Sequence, residues 1–219
     1  MSNGIDEILA RMKLRAMTAE EIAAHAAAEA QSAAGKATHR TMELRATWGA
    51  PKRHAERSAL DRSGPWGATE KKLVPLLGGG LFVALIGGRG SGKTQLAVEL
   101  MRETTRRQRS ALYASAAEFF MAVTATYKND SHETARDVVQ RYQRPSLLVL
   151  DEFGRRTESK WENDLLFELL DKRYGAVKDT MLLSNQPKAE LLDALGPSLA
   201  SRMQETGGII DATWGSYRA

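Results

Sequence analysis

Residues 87 to 94 read Gly-Gly-Arg-Gly-Ser-Gly-Lys-Thr and follow directly on the apolar run Leu81 to Ile86. This is the G-x-x-x-x-G-K-[ST] phosphate loop with a strand leading into it. Gly87, Gly88, Gly90 and Gly92 let the backbone turn its N–H groups inward, where a Cβ would block the phosphates, with Arg89 and Ser91 between them in the cradle. Lys93 can then reach the β and γ phosphates, and Thr94 offers its hydroxyl to Mg²⁺. Gln95 to Met101 form the helix whose N-terminal dipole faces the anion. A strand, a glycine loop and a helix in that order commit the chain to a parallel α/β sheet, and predict a nucleoside triphosphate, ATP with Mg²⁺, as its ligand.

The length of 219 residues allows one large domain and a small one. No apolar stretch is long enough to cross a bilayer, and the first residues lack the succession of a signal peptide, so a cytoplasmic protein with no membrane partner is expected. Cysteine is absent, which removes disulfides and thiolate zinc sites, and the four histidines show no ligand spacing. Metal other than nucleotide-bound Mg²⁺ is therefore not expected. A net charge of +4 and a pI near 9.4 suit a nucleic-acid partner and equally suit plain solubility.

Ile5, Ile8, Leu9 and Met12 recur at helical spacing behind a Ser2 or Asn3 cap. Thr18 and Glu21 form a capping box that opens an alanine-rich helix to about Ala34, with Gly35 as its stop. That segment has few large apolar residues, so it reads either as a helical arm that needs a partner or as a disordered tail. Residues 1–48 are assigned to this N-terminal region, 49–67 to a basic linker, and 68–219 to the main domain. The linker carries Lys52, Arg53, His54, Arg57 and Arg62 around Gly49-Ala50-Pro51 and Gly64-Pro65-Trp66-Gly67. Its arginines either meet phosphates or are simply solvated, and Trp48 and Trp66 are expected at the core edge. From residue 68, helices and strands alternate: helix 68–77, strand 81–86, helix 93–106, strand 111–115, helices 116–127 and 133–142, strand 147–150, helix 164–174, strand 181–183, helix 189–195, and a last strand around Ile209 and Ile210. Such alternation means a parallel sheet covered on both faces.

Leu147 to Leu150 runs into Asp151 and Glu152. Hydrolysis of a triphosphate needs two such carboxylates, Asp151 to hold Mg²⁺ mainly through water and Glu152 to polarise the attacking water. An acidic pair at a strand end is common by chance, and it gains weight only beside the phosphate loop. The intervening strand 111–115 separates the loop strand from the acidic strand in sequence and leaves room for a neighbour between them. The strand at 180–183 runs into Ser184 and Asn185. Asn185, with Ser184 second, could sit beside the γ-phosphate, unless Asn185-Gln186-Pro187 is merely a turn. Arg202 closes Leu195 to Arg202, where a guanidinium delivered by a neighbouring subunit could neutralise developing charge.

Taken in order, these motifs resemble the DnaC/IstB branch of AAA+ ATPases, and within it the DnaC-type helicase loaders, over roughly residues 49 to 218. The segments that carry the likeness are 49–54, the phosphate loop, Leu147 to Gly154, Thr157 to Glu162, Asp171 to Tyr174, Leu182 to Asn185, Leu195 to Arg202 and Trp214 to Arg218. The resemblance implies a P-loop AAA+ fold, a parallel five-stranded sheet flanked by helices, with a small N-terminal helical arm. It implies slow, DNA- or partner-stimulated ATP hydrolysis in a spiral homo-oligomer, with Arg202 as the finger on the next subunit's ATP, Asn185 as sensor 1 and Arg218 in a sensor-2 position. It also implies single-stranded DNA binding by the ATPase domain, and a grip of the N-terminal region on a DnaB-like replicative hexameric helicase. Some loaders carry cysteines near the N-terminus and this chain has none, so a zinc-stabilised module is not expected here. Arg102, Arg106, Arg107 and Arg109, with Tyr127 and Lys128, are the candidate DNA contacts, whereas Phe119 and Phe120 read as core. Two rivals stand beside the loader: an IstB-type transposition helper acting on duplex DNA and a transposase, and a non-hydrolysing nucleotide-dependent adaptor.

Overall fold

The computed structural model of the chain describes residues 19–57, 61–128, 132–154 and 159–217. The apolar runs form strands β1 (Phe82–Ile86), β2 (Ala111–Ser115), β3 (Leu147–Asp151), β4 (Asp179–Ser184) and β5 (Gly208–Asp211). They pair in parallel in the order β2-β3-β4-β1-β5. The helices are α1 (Ala19–Ala46), α2 (Lys52–Ala55), α3 (Pro65–Leu73), α4 (Lys93–Arg106), α5 (Ala116–Ala125), α6 (Ala135–Gln143), α7 (Lys160–Gly175) and α8 (Lys188–Thr206). Successive strand residues face opposite ways, so a sheet covered on both sides needs apolar residues at every position. Phe82, Ala84, Ile86, Leu148, Leu150 and Leu182 pack under α5 to α8, while Val83, Leu85, Leu147, Val149, Met181 and Leu183 pack under α3 and α4. The five-stranded parallel sheet flanked by helices is therefore the architecture expected from the sequence, and the neighbour between the loop strand and the acidic strand is β4.

The chain divides into residues 1–40 and 41–219. The Ile5 to Met12 helix and the Thr18 half of the capping box lie outside the described residues. The helix α1 runs straight through Gly35 and ends at Ala46, its last residues belonging to the second unit. A helical glycine costs only about 1 kcal/mol against alanine, too little to break an alanine-rich helix with no proline behind it. Among the described residues the first left-handed glycine is Gly49, at φ +70°, where a Cβ would lie 2.6 Å from the Tyr113 carbonyl.

Within the second unit, the stretch read as a linker is packed rather than free. Trp48 and Trp66 are buried among the core residues, not at its edge. The Trp48 carbonyl accepts the Tyr113 N–H at 2.6 Å, which covers the open edge of β2. Arg102 of α4 explains the rest: its guanidinium donates to the carbonyls of Ala55 at 2.6 Å and Arg57 at 2.8 Å. Arg62 pairs with Glu70 at 2.7 Å. Other outcomes concern helix ends. Ser159 caps α7 four residues earlier than expected, through the Glu162 N–H. α8 continues past Leu195 to Thr206 across a break at Gly196, φ +71°, followed by Pro197.

The N-terminal ends of the strands carry two charges that the sequence reading passed over. Arg173 on α7 is fully buried and donates to the carbonyls of Tyr142, Gln143 and Pro145 at 3.0–3.1 Å and to Thr180 Oγ1 at 3.0 Å. Asp179, at the start of β4, accepts the N–H groups of Gly78, Gly80 and Leu81 at 2.6, 3.1 and 2.9 Å. Together they tie the start of β1, the start of β4 and the loop before β3 into one hydrogen-bonded floor.

Candidate active site

At the opposite, carboxyl ends of the strands, parallel pairing brings the polar tips level. Ile86 pairs with Ser184 and Leu150 with Leu182, so the phosphate loop, Asp151 and Asn185 come off adjacent strands at nearly the same height. Ligands of open α/β sheets bind at such ends. A cleft of about 450 Å³ opens there, and Arg89, Gly90, Ser91, Gly92, Lys93, Thr94, Asp151, Glu152 and Asn185 all line it.

The loop takes its shape from a few glycines. Gly87, Gly90 and Gly92 have φ of +135°, +88° and +84°. Gly88 has an ordinary φ and open space where a Cβ would stand, so the conformation asks for glycine at three of the four positions expected. Lys93 folds back into the loop, donating to the carbonyls of Gly87 at 2.7 Å and Gly88 at 2.9 Å and to Asn185 Oδ1 at 2.9 Å. Its ammonium thus lies between the loop and the tip of β4, where a phosphate chain entering the cradle would meet it.

Thr94 Oγ1 donates to Asp151 Oδ2 at 3.1 Å, and Tyr113 Oη donates to the same oxygen. Burial first, and then the Asp151 charge, push the Tyr113 hydroxyl far above its ordinary range, so it remains a donor. Thr94 and Asp151 supply a hydroxyl and a carboxylate oxygen side by side, which fits a hard cation such as Mg²⁺, usually held by one or two protein groups plus phosphate and water. Glu152 follows at φ +52°, a left-handed conformation that costs a side-chain-bearing residue about 1–2 kcal/mol. Such strain gathers at functional positions. Here the turn takes Glu152 off the strand end, while the Phe153 N–H bonds Leu183 O at 2.9 Å and keeps β3 and β4 together.

Arg202 is not part of this cleft. It pairs with Asp171, and its guanidinium lies 5.1 Å from the centre of the Tyr174 ring. Arg218 and the Thr157-Glu158 pair lie outside the described residues. The arginines at the end of α4 are engaged within the fold: Arg102 with Glu99, Arg106 and Arg107 with Glu103 at 2.6 and 2.9 Å, and Arg107 also with the carbonyls of Leu77 and Val74 at 3.1 Å. Arg109 faces the Asp179 carboxylate. Phe119 and Phe120 are core, as expected. Tyr127 is 61 % exposed, and its ring stands 6.4 Å from that of Trp161, itself 38 % exposed. His54 and Tyr217, to which the sequence reading gave no role, also line the cleft, as do Gln95 of the loop helix and Arg57, a linker arginine for which a phosphate contact was one of two alternatives. His54 and Arg57 lay in the segment taken as a linker, and only its basic composition beside a glycine-proline turn signalled them.

The model of the family described as IstB-like ATP binding protein matches residues 80–205. The replicative helicase loader DnaC of Escherichia coli strain K12 is 30 % identical over 134 residues, which is 61 % of this chain and 54 % of that protein. The chain thus spans about half the length of the curated relatives it matches. A crystal structure of the DnaC helicase loader superposes with a TM-score of 0.62 at 18 % identity, over 74 % of this chain and 99 % of the other. The replication initiator DnaA bound to AMPPCP and single-stranded DNA gives 0.59 at 24 % identity, over 74 % and 50 %. At these identities the structural likeness speaks for the fold, which is that of the P-loop AAA+ ATPases.

Proposed function

This chain belongs to the IstB-like ATP binding protein family, and on that premise we propose that it is an ATPase whose nucleotide cycle controls attachment to single-stranded DNA and delivery of a replicative hexameric helicase onto it. The observation that carries the reading is the meeting of Lys93, Thr94, Asp151, Glu152 and Asn185 in one cleft at the carboxyl ends of three strands. In this reading the loop N–H groups and Lys93 hold the β and γ phosphates, and Asn185 exchanges its contact with Lys93 for the attacking water. Glu152 accepts that water's proton as its oxygen attacks phosphorus, and the bond from phosphorus to the bridging oxygen breaks towards ADP. Mg²⁺, held through Thr94 and Asp151, supplies charge neutralisation on the phosphate oxygens.

Arg202 acts from a neighbouring subunit. Its side chain is anchored on Asp171 outside its own cleft, so a second chain must present it to the γ-phosphate. This reading calls for a homo-oligomer, and the resemblance to the loaders implies that it is spiral in form. Single-stranded DNA stacks on the exposed Tyr127 and Trp161 rings, flanked by the exposed Lys128 and Lys160. Residues 1–40, whose described side chains are exposed on an alanine-rich helix, grip the helicase. The similarity of the core to the DnaC loader favours a helicase over a transposase as the partner.

The test is co-purification of the full chain with candidate hexameric helicases, with and without ATP. Lys93→Ala should abolish nucleotide binding and, with it, the ATP-dependence of capture. Removing residues 1–40 should abolish capture and spare nucleotide affinity; the cut must stop before the buried Trp48. Recovery of a transposase and no helicase would overturn the loader reading. Hydrolysis unaffected by Glu152→Gln would overturn the catalytic one.

A further inference from the structure

The Trp-Gly-Ser-Tyr segment at 214–217 follows the last strand and takes no part in the reaction proposed above. It runs back along the phosphate loop. Ala212 N–H donates to Ile86 O at 2.7 Å, extending the pairing of β5 with β1 to the foot of the loop. Beyond it, the Trp214 indole N–H donates to Ser91 O at 2.7 Å, and the Tyr217 backbone N–H donates to Gly90 O at 2.9 Å. From α3, the Trp66 indole donates to Gly92 O at 3.1 Å. Three consecutive carbonyls of the loop, at Gly90, Ser91 and Gly92, are therefore each taken by an N–H from outside it.

In a trans peptide the carbonyl and the following N–H point in opposite directions. Tying down those three carbonyls turns the N–H groups of Ser91, Gly92 and Lys93 the other way. That way is the inside of the loop, where Ser91 N stands 3.5 Å from Gly88 O and the Lys93 ammonium bonds the same carbonyl. Gly90 and Gly92, both at positive φ, have the widest choice of conformations in the loop, so something must select this one. We propose that Trp214 and the Tyr217 amide form a positioning clip that holds the phosphate loop in its anion-binding form, so that the C-terminal segment sets the affinity for the nucleotide's β-phosphate. The clip rests on the reading that a nucleoside triphosphate occupies this cleft. Preorganisation by the clip removes an ordering cost that binding would otherwise meet.

The test is titration calorimetry of the full chain with ATP, ADP and AMP in the presence of Mg²⁺. Trp214→Phe keeps an aromatic ring but removes the N–H together with the pyrrole half of the indole. It should weaken ATP and ADP alike by about threefold to tenfold, the range for one hydrogen bond, and leave AMP unchanged. Tyr217→Pro removes the amide donor at a position that lies in no helix or strand, and Tyr217→Ala keeps it. Proline should therefore bind ATP at least about threefold more weakly than alanine does. Thermal unfolding without nucleotide checks the fold of each variant, and if Trp214→Phe fails to fold, the Tyr217 pair decides. Equal ATP affinity in Trp214→Phe and the unaltered protein, equal affinity in the two Tyr217 variants, or AMP weakened in proportion to ATP would each overturn the clip. An unaltered protein that binds no ATP would instead remove the nucleotide reading on which it rests.

Discussion

Replacing Asp179 by alanine should destabilise the protein without touching its chemistry. The carboxylate holds three backbone N–H groups of the turn into β1, and at Gly80 and Leu81 both donor and acceptor are buried. A buried donor left without a partner costs about 1–3 kcal/mol, while the part-buried Gly78 can turn to water. Against this stands the relief of desolvating an anion. Burial is the larger influence on this group: it raises the Asp179 pKa from its ordinary 3.8 in spite of three N–H bonds and the Arg109 charge. The net loss should be about 2–5 kcal/mol, a large part of the 5–15 kcal/mol by which a domain is usually stable. The sign with pH follows from the raised value. The folded state keeps its proton to higher pH than the unfolded chain does, so this group's contribution is fully present below 3.8, falls as pH rises through the folded pKa, and is level above it. Urea unfolding of the unaltered protein and of Asp179→Ala, followed by circular dichroism from pH 4 to pH 8, gives both quantities. A loss below about 1 kcal/mol, or a gap between the two proteins that widens as pH rises, would refute the reasoning.

Three further expectations concern the site and its surroundings. Glu152→Gly relieves the left-handed strain, so the nucleotide-free protein should melt no lower, and by about 2–4 °C higher at best, while hydrolysis falls by orders of magnitude; a marked drop in melting temperature would contradict the strain. Arg202→Ala should bind ATP normally and lose DNA-stimulated hydrolysis, and wild-type stimulation in that variant would exclude the trans role. Trp161→Ala should cost about 1–3 kcal/mol in single-stranded DNA affinity by fluorescence anisotropy, with the salt dependence unchanged, because stacking and phosphate contacts are separate contributions; an unaltered affinity would exclude the Tyr127–Trp161 platform.

What the sequence made legible was whatever physics ties to local pattern. The strands announced themselves because a doubly covered sheet needs unbroken apolar runs, and the loop because its lysine and threonine stand at fixed offsets from glycines that must turn. A neighbour between the loop strand and the acidic strand was readable, but its identity was not, since nothing in residues 111–115 says that the strand beside β1 will be β4. The floor was missed for the same reason: Arg173 and Asp179 look like surface charges until the ends of three strands and the Gly78–Leu81 turn supply their acceptors and donors. Segment 49–67 looked like a linker because its composition is basic and turn-forming. Arg102, forty-five residues beyond Arg57, holds it in place. Gly35 was misjudged by applying a stop signal where flanking alanines and the absence of proline outweighed it. Gly49, the residue with the left-handed backbone, was marked only as a turn.

The position of Arg202 bears on why such a subunit should hydrolyse ATP at all. Everything needed to hold a triphosphate lies within one chain's cleft, yet the guanidinium that the motif order singles out is anchored on Asp171 and Tyr174, residues of α7 that do not line it. If Arg202 completes a neighbour's site, occupancy and hydrolysis are separated: one subunit binds ATP alone, and hydrolysis waits for a second subunit to arrive in register. A finger of this kind is worth about 10³–10⁵ in rate. ATP would then measure how long an assembly has existed rather than drive work in each subunit. Asp171→Asn discriminates between the two roles the ion pair can have. If Asp171 aims the arginine, the variant should keep ATP affinity and lose stimulated hydrolysis as Arg202→Ala does. If it merely restrains the arginine, stimulated hydrolysis should rise, with half-maximal activity at a lower protein concentration. A variant indistinguishable from the unaltered protein in both readouts would mean that the Asp171 pair neither aims nor restrains Arg202.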